Sequence, residues 1–213
     1  MTTLLKDQAY ENLLKMLQDG YFESGQIYSL KALAVQLEMS ITPVRDALQR
    51  LCDEGRMDML PSRGFCLHKM TREELLEHYH FASAVEGYCV YSLAGAYQQG
   101  EKTQYVQRLE QLVDGMRDRL GPETPFPEYF AYDRGFHQTI LESLEDAFFN
   151  NLQHSAMGFY NHPEVQQDRE IPREVIYQCH ARILEHIKNG DSNGAYRALL
   201  DHASQMMSEF ESE

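Results

Sequence analysis

The chain has 213 residues and a formal net charge of −14, room for one large or two modest domains that each bury a core. It contains no apolar run of the roughly 20 residues a membrane-spanning helix needs, and its opening MTTLLKDQAYENLL reads as a polar amphipathic helix rather than a signal peptide, so a cytoplasmic protein is expected. The acid excess argues at first against nucleic acid, but it is unevenly spread: residues 1–70 hold 8 basic against 9 acidic side chains, residues 71–213 hold 11 against 24.

A near-neutral N-terminal part can bind phosphates through a few placed cations, with a modest dependence on salt. The four cysteines, Cys52, Cys66, Cys89 and Cys179, show no CxxC pairing. They fall on apolar faces or in a hairpin, which suits reduced thiols better than disulfides or a cysteine zinc site.

In chain order, a helix is expected from about Leu5 to Asp19, with Ala9, Leu13, Met16 and Leu17 on one side, and then a loop over residues 20–26 containing Gly25. Ser29 can cap a second helix whose Leu30, Leu33, Ala34 and Leu37 form a buried stripe. Met39 and Ser40 read as a turn, with Ser40 placed to cap a third helix. That helix buries Val44, Ala47, Leu48 and Leu51, carries Pro43 in its first turn, and stops at Gly55. Its opposite face presents Thr42, Arg45 and Gln49, with Arg50 beside them, groups that can bond base edges and phosphates in a major groove. Met57–Leu60, a Pro61-Ser62-Arg63-Gly64 turn and Phe65–His68 then make a hairpin with a basic tip. Helix, turn, helix and basic-tipped wing in this order read as a winged helix-turn-helix, whereas an isolated charged helix face is ordinarily only solvated. The candidate DNA-binding residues are Lys31, Ser40, Thr42, Arg45, Gln49, Arg50, Arg63 and Gly64.

The domain boundary is expected near residues 69–71, leaving a DNA-binding domain over 1–70 and a helical domain over 71–213. Thr71 and Glu74 form a capping box for a long helix to about Gln98. Further helices are expected over about 102–120, 127–143, 146–160, 172–189 and 192–211, with GPETPFP the one proline-rich break. No alternating strand pattern follows the wing. The fold class is therefore mainly α: a winged helix-turn-helix followed by an all-helical bundle of about six helices.

Four residues of that bundle can meet. Asp133 and His137 are four apart on one helix, so they project from neighbouring turns of one face. His180 and His202 flank the Asn189-Gly190-Asp191 turn symmetrically, each about 16 Å from it at ~1.5 Å per residue, so they stand level in an antiparallel hairpin. Three imidazoles and a carboxylate suit Zn²⁺, and also Ni²⁺, Mn²⁺ or Fe²⁺. A lone histidine on a helix is more often an ordinary imidazole, as is expected for His78, His80, His162 and His186.

The segment SITPVRDALQRL with the GRMDMLPSRGFCL hairpin resembles the N-terminal domain of GntR-family transcription regulators. Ile41 stands where many members carry Arg, which removes one group that could contact base or phosphate. DRGFH, CHARILEHI and GAYRALLDHASQM, within residues 75–208, resemble the FCD type of ligand-binding domain found in the FadR branch of that family. The resemblance implies a metal held by Asp133, His137, His180 and His202, zinc foremost, and a small-molecule effector, commonly a carboxylate, beside it. Where such domains often carry an Arg four residues before a Glu, this chain reads Ala82-Ser83-Ala84-Val85-Glu86, so the expected carboxylate clamp is missing. Tyr88, Arg134, Asn151 and His154 are the candidate effector contacts.

The function expected from all this is a homodimeric regulator that binds a palindromic double-stranded operator and releases or grips it as an effector binds, with no membrane association. Two alternatives remain: a metal-dependent hydrolase, which would also need an acid or base beside the ion, and a regulator whose metal only staples the bundle.

Overall fold

A computed structural model of the chain describes residues 5–18, 20–147, 149, 156, 160, 165 and 171–211. The chain divides into two compact units after Met70.

The N-terminal unit contains α1 (Leu5–Gln18), β1 (Ile27–Tyr28), α2 (Leu30–Gln36), α3 (Ile41–Asp53), β2 (Met57–Leu60) and β3 (Gly64–Leu67). Its core is built from the residues that repeat at helical spacing, Ala9 and Leu13 on α1, Leu33 and Ala34 on α2, and Val44, Ala47, Leu48 and Leu51 on α3, closed by Met57 and Phe65 from the hairpin. Ser29 caps α2 by accepting a hydrogen bond from the Ala32 amide at 3.1 Å.

Two local expectations need correction. Ser40 stands at the N-cap of α3 with an extended backbone, but its side chain makes no capping bond. The turn between α2 and α3 is made earlier, at Glu38, whose φ of 53° lets the Met39 amide return to the Ala34 carbonyl at 3.0 Å.

The wing also has a third strand. Sheet order is β1-β3-β2, all antiparallel, with Tyr28 opposite Phe65 and Ile27 opposite Cys66. Two residues are too short to show alternation, so β1 left no pattern in the sequence. Tyr28 anchors it: the hydroxyl donates to the Tyr21 carbonyl at 3.0 Å and accepts from the Glu23 amide at 2.9 Å, and the ring packs edge-on against Phe22 at 4.9 Å. Gly64 admits this strand, because a Cβ there would lie 2.3 Å from the Tyr28 carbonyl oxygen, and its φ of 135° suits glycine alone.

The C-terminal unit contains α4 (Arg72–Gln98), α5 (Thr103–Arg117), α6 (Phe126–Glu142), α7 (Arg173–Lys188) and α8 (Ser192–Glu211). The Thr71–Glu74 capping box starts α4, with the Glu74 amide donating to Thr71 Oγ1 at 3.2 Å and the Thr71 amide to Glu74 Oε2 at 2.7 Å. α7 and α8 form an antiparallel hairpin through Gly190, at a φ of 68°, and Asp191 caps α8 by accepting from the Gly194 amide at 2.9 Å. α4 packs along both helices of the hairpin and against α6, while α5 lies against α6 and α7. Tyr129, Phe136, Leu93, Leu109, Met116 and Ile140 are fully buried between them. The helix expected over 146–160 falls largely outside the described residues. No helix among the described residues is long and apolar enough to cross a membrane.

Candidate functional site

Burying Val44, Ala47, Leu48 and Leu51 turns the other side of α3 to solvent, and Thr42, Arg45, Gln49 and Arg50 are all exposed there. Thr42 and Arg45 lie in its first turns, where a recognition helix reaches furthest into a groove. Gln49 donates to Asp53 at 2.9 Å along the same face. Arg50 is differently engaged: its Nε donates to Glu54 at 3.0 Å and its guanidinium lies 3.7 Å over the Tyr10 ring, so it covers the joint between α1 and α3. Helical spacing cannot show this, because Tyr10 arrives from another helix. Lys31 is exposed on α2 and Arg63 at the wing tip, where Ser62 takes the left-handed φ of 63° that the turn needs. Gly64, taken from sequence as a DNA-binding residue, has a packing reason beneath β1.

In the second unit, α6 presents Asp133 and His137 one turn apart, α7 presents His180 and α8 presents His202, all four buried. One nitrogen from each histidine lies within 4.8 Å of the other two. His180 Nε2 is 3.3 Å from His137 Nε2 and 3.4 Å from Asp133 Oδ1. The hairpin argument places His180 and His202 level, and their rings are 4.6 Å apart. Phe136 packs edge-on against His180 at 4.5 Å, and Tyr160 stacks on His137 at 4.5 Å.

Hydrogen bonds fix which nitrogen of each ring is available. His137 Nδ1–H donates to Glu86 Oε2 at 2.6 Å, and His180 Nδ1–H donates to the Ile176 carbonyl at 2.8 Å. Both Nε2 atoms therefore point into the site. Two lone pairs 3.3 Å apart repel unless a proton or a cation lies between them. Burial pushes His180 down to about 4, reinforced by the neighbouring His137 and opposed by Asp133. For His137 burial also acts downward, but the charge and hydrogen bond of Glu86, with Asp133 behind them, outweigh it and raise its pKa. Burial and Glu86 together raise the Tyr160 phenol well above its ordinary value. Three inward-facing imidazoles with one adjacent carboxylate fit a tetrahedral or open-sided divalent ion.

The site opens on a cavity of about 30 Å³, lined in part by Tyr79, Ser83 and Glu86 from α4, Tyr129 and Asp133 from α6, and His202 and Met206 from α8. Two effector candidates do not line this cavity. Tyr88 is 53% exposed and stacks on Phe149 at 5.7 Å, because it lies two residues beyond Glu86 and so about 200° round the helix. Arg134, half-buried, is one residue past Asp133 and is not among the residues lining the cavity. Asn151 and His154 lie outside the described residues. Of the other histidines, His186 pairs with Asp191 at 2.9 Å and His78 with the Glu74 carbonyl at 2.7 Å.

Sequence reasoning missed Glu86 and Tyr160 as members of the site. For Glu86 a signal existed: it falls in phase with Leu75, Tyr79, Ala82, Val90 and Leu93, so a carboxylate occupies a core position of α4.

A winged reading head joined in one chain to a helical domain with a buried histidine cluster defines a DNA-binding transcription regulator with an effector domain. Residues 5–67 match the bacterial regulatory proteins of the gntR family, and residues 77–205 match the FCD domain. The chain belongs to the GntR family of regulators, with an FCD domain as its C-terminal part. It is 22% identical over 196 residues to the HTH-type transcriptional regulator YdhC of Bacillus subtilis (strain 168), covering 92% of this chain and 86% of that protein. It is 21% identical over 206 residues to the transcriptional repressor RspR of Escherichia coli (strain K12), covering 96% and 88%. Its fold is that of E. coli McbR/YncC (TM-score 0.71, 21% identity, 99% and 98% covered) and of a GntR regulator from Rhodococcus sp. RHA1 (TM-score 0.75, 17% identity, 97% of each). These families and relatives are transcription regulators, not enzymes, which sets aside the hydrolase alternative.

Proposed function

We propose that this regulator is a cytoplasmic homodimer that binds a palindromic operator and whose affinity for it is set by an organic acid bound beside a divalent metal, zinc foremost, in the C-terminal domain. The observation that carries the metal reading is the convergence of three buried histidines, one nitrogen of each within 4.8 Å of the other two, beside the Asp133 carboxylate, with the Nδ1 atoms of His137 and His180 already committed to Glu86 and Ile176. Asp133, His137, His180 and His202 would hold the ion. When bound, it supplies a Lewis-acidic centre able to accept carboxylate oxygens.

No Lys or Arg is among the described residues lining the cavity. Among the described residues the ion is then the counter-charge open to an acid, which agrees with the missing Arg one turn before Glu86. In the reading head, Thr42, Arg45 and Gln49 would read base edges, with Lys31 and Arg63 on phosphates. A twofold axis through the dimer would present two such heads to half-sites about one DNA turn apart. Coupling is by linkage: an effector that binds better to the form with misplaced heads weakens DNA binding by the same factor, typically about 1–3 kcal/mol.

The small cavity favours a second reading. A volume of about 30 Å³ holds an ion and its water more readily than a carboxylic acid, as expected of a metal that only braces the bundle. One experiment separates the two. Elemental analysis of protein purified without chelator should give stoichiometric metal in wild type and none in His202→Ala. Operator binding by fluorescence anisotropy, with the metal-loaded protein and a panel of small organic acids, should then change with at least one acid. Stoichiometric metal with no response to any acid selects the bracing role, and retention of the ion by His202→Ala removes the site assignment.

A further inference from the structure

We propose that Glu86 is a positioning residue of the metal centre, holding His137 with Nε2 turned to the ion and supplying the second of two negative charges that offset a divalent cation. The proposal rests on the metal reading above. Glu86 is 1% exposed, and a carboxylate so far from water persists only where hydrogen bonds and opposite charge hold it. No Lys or Arg among the described residues pairs with it, and Ala82, one turn before, is too short to contribute.

Its partners are instead the site's own groups. Oε2 accepts from His137 Nδ1 at 2.6 Å, and Tyr160, stacked flat on the same imidazole at 4.5 Å, brings its hydroxyl to 3.3 Å from that Nδ1. The His137 ring is thus fixed on its face by Tyr160 and on its edge by Glu86. Both constraints leave Nε2 directed at His180 Nε2 and the Asp133 side.

The second oxygen, Oε1, is buried with no hydrogen bond among the described residues. Hydrogen bonding alone therefore does not offset the burial of this charge, which needs a cation on the His137 side: a protonated His137 before metal binds, and the ion once it has displaced that proton. With the histidines neutral as ligands, Asp133 and Glu86 carry two negative charges between them, which matches one divalent ion.

The test measures zinc affinity of the full chain by competition with a chromophoric chelator, for wild type, Glu86→Gln and Glu86→Ala. The visible spectrum of the Co²⁺ form reports coordination, and melting of the chelated proteins controls for packing. Glu86→Gln keeps an acceptor for Nδ1–H but loses the charge, so affinity should fall about tenfold. Glu86→Ala loses both and should fall toward about 100-fold, with a changed Co²⁺ spectrum. Zinc affinity of Glu86→Gln equal to wild type overturns the proposal, whatever happens to the melting temperature. A wild-type protein that takes up no zinc overturns the metal reading and this proposal with it.

Discussion

Replacing His180 by Gln should flatten the acid dependence of stability of the metal-free protein between pH 7 and pH 5. The imidazole is fully buried and donates Nδ1–H to Ile176, and burial holds its pKa at about 4 against 6.5 in the unfolded chain. A group whose folded pKa is depressed, here a base kept neutral, contributes stability above its unfolded value and loses it as pH falls toward the folded value. Each pH unit in that window is worth about 1.4 kcal/mol. From pH 7 to pH 5 the unfolded state gains most of one proton while folded His180 stays neutral, a loss of about 2 kcal/mol. At about 2–4 °C per kcal/mol for a unit of this size, the melting temperature should drop by about 4–8 °C more in wild type than in the variant.

His137, whose pKa is raised, acts in the opposite sense: its contribution is present at low pH and lost as pH rises through the folded value. It is common to both proteins, but its Nε2 lies 3.3 Å from that of His180, so the difference in slope reports the coupled pair, with loss of the buried neutral base as its larger part. Thermal melts followed by circular dichroism in chelator, at half-unit steps of pH, supply the measurement. Equal slopes in wild type and His180→Gln would mean that His180 titrates in the fold as it does in the unfolded chain, so that burial does not hold it neutral; a steeper loss in the variant would mean that it is protonated in the fold and offers no Nε2 lone pair to the site.

Two further outcomes test the reading head. Arg45→Ala should weaken binding to an operator selected from random duplexes by about 1–3 kcal/mol, with melting unchanged because the side chain is exposed; wild-type affinity would refute the placement of α3 in the groove. Gly64→Ala should destabilise the N-terminal unit by about 1–3 kcal/mol, because φ is 135° and the new methyl would meet the Tyr28 carbonyl, and wild-type melting and DNA binding would refute the packing role assigned to it.

What was legible in the sequence is what depends on neighbours three or four residues away. The capping box at Thr71 and Glu74, the Ser29 cap, the buried stripes of α2 and α3 and the span of α8 from Ser192 to Glu211 all follow from helical spacing and local hydrogen bonds. The meeting of His180 with His202 followed too, because a tight turn at Gly190 forces two helices antiparallel and sets their register.

Tertiary structure alone decided the rest. Strand β1 exists because the backbone of Tyr28 pairs with β3 some 37 residues on, a contact with no local periodicity behind it. Arg50 is drawn to Tyr10 by how helices pack, which residue type does not encode. Glu86 reaches His137 across 51 positions of chain. The chain by itself thus supplied the four side chains, whereas the bundle chose which nitrogen His137 and His180 turn inward, since the acceptor that folding brings alongside holds the other.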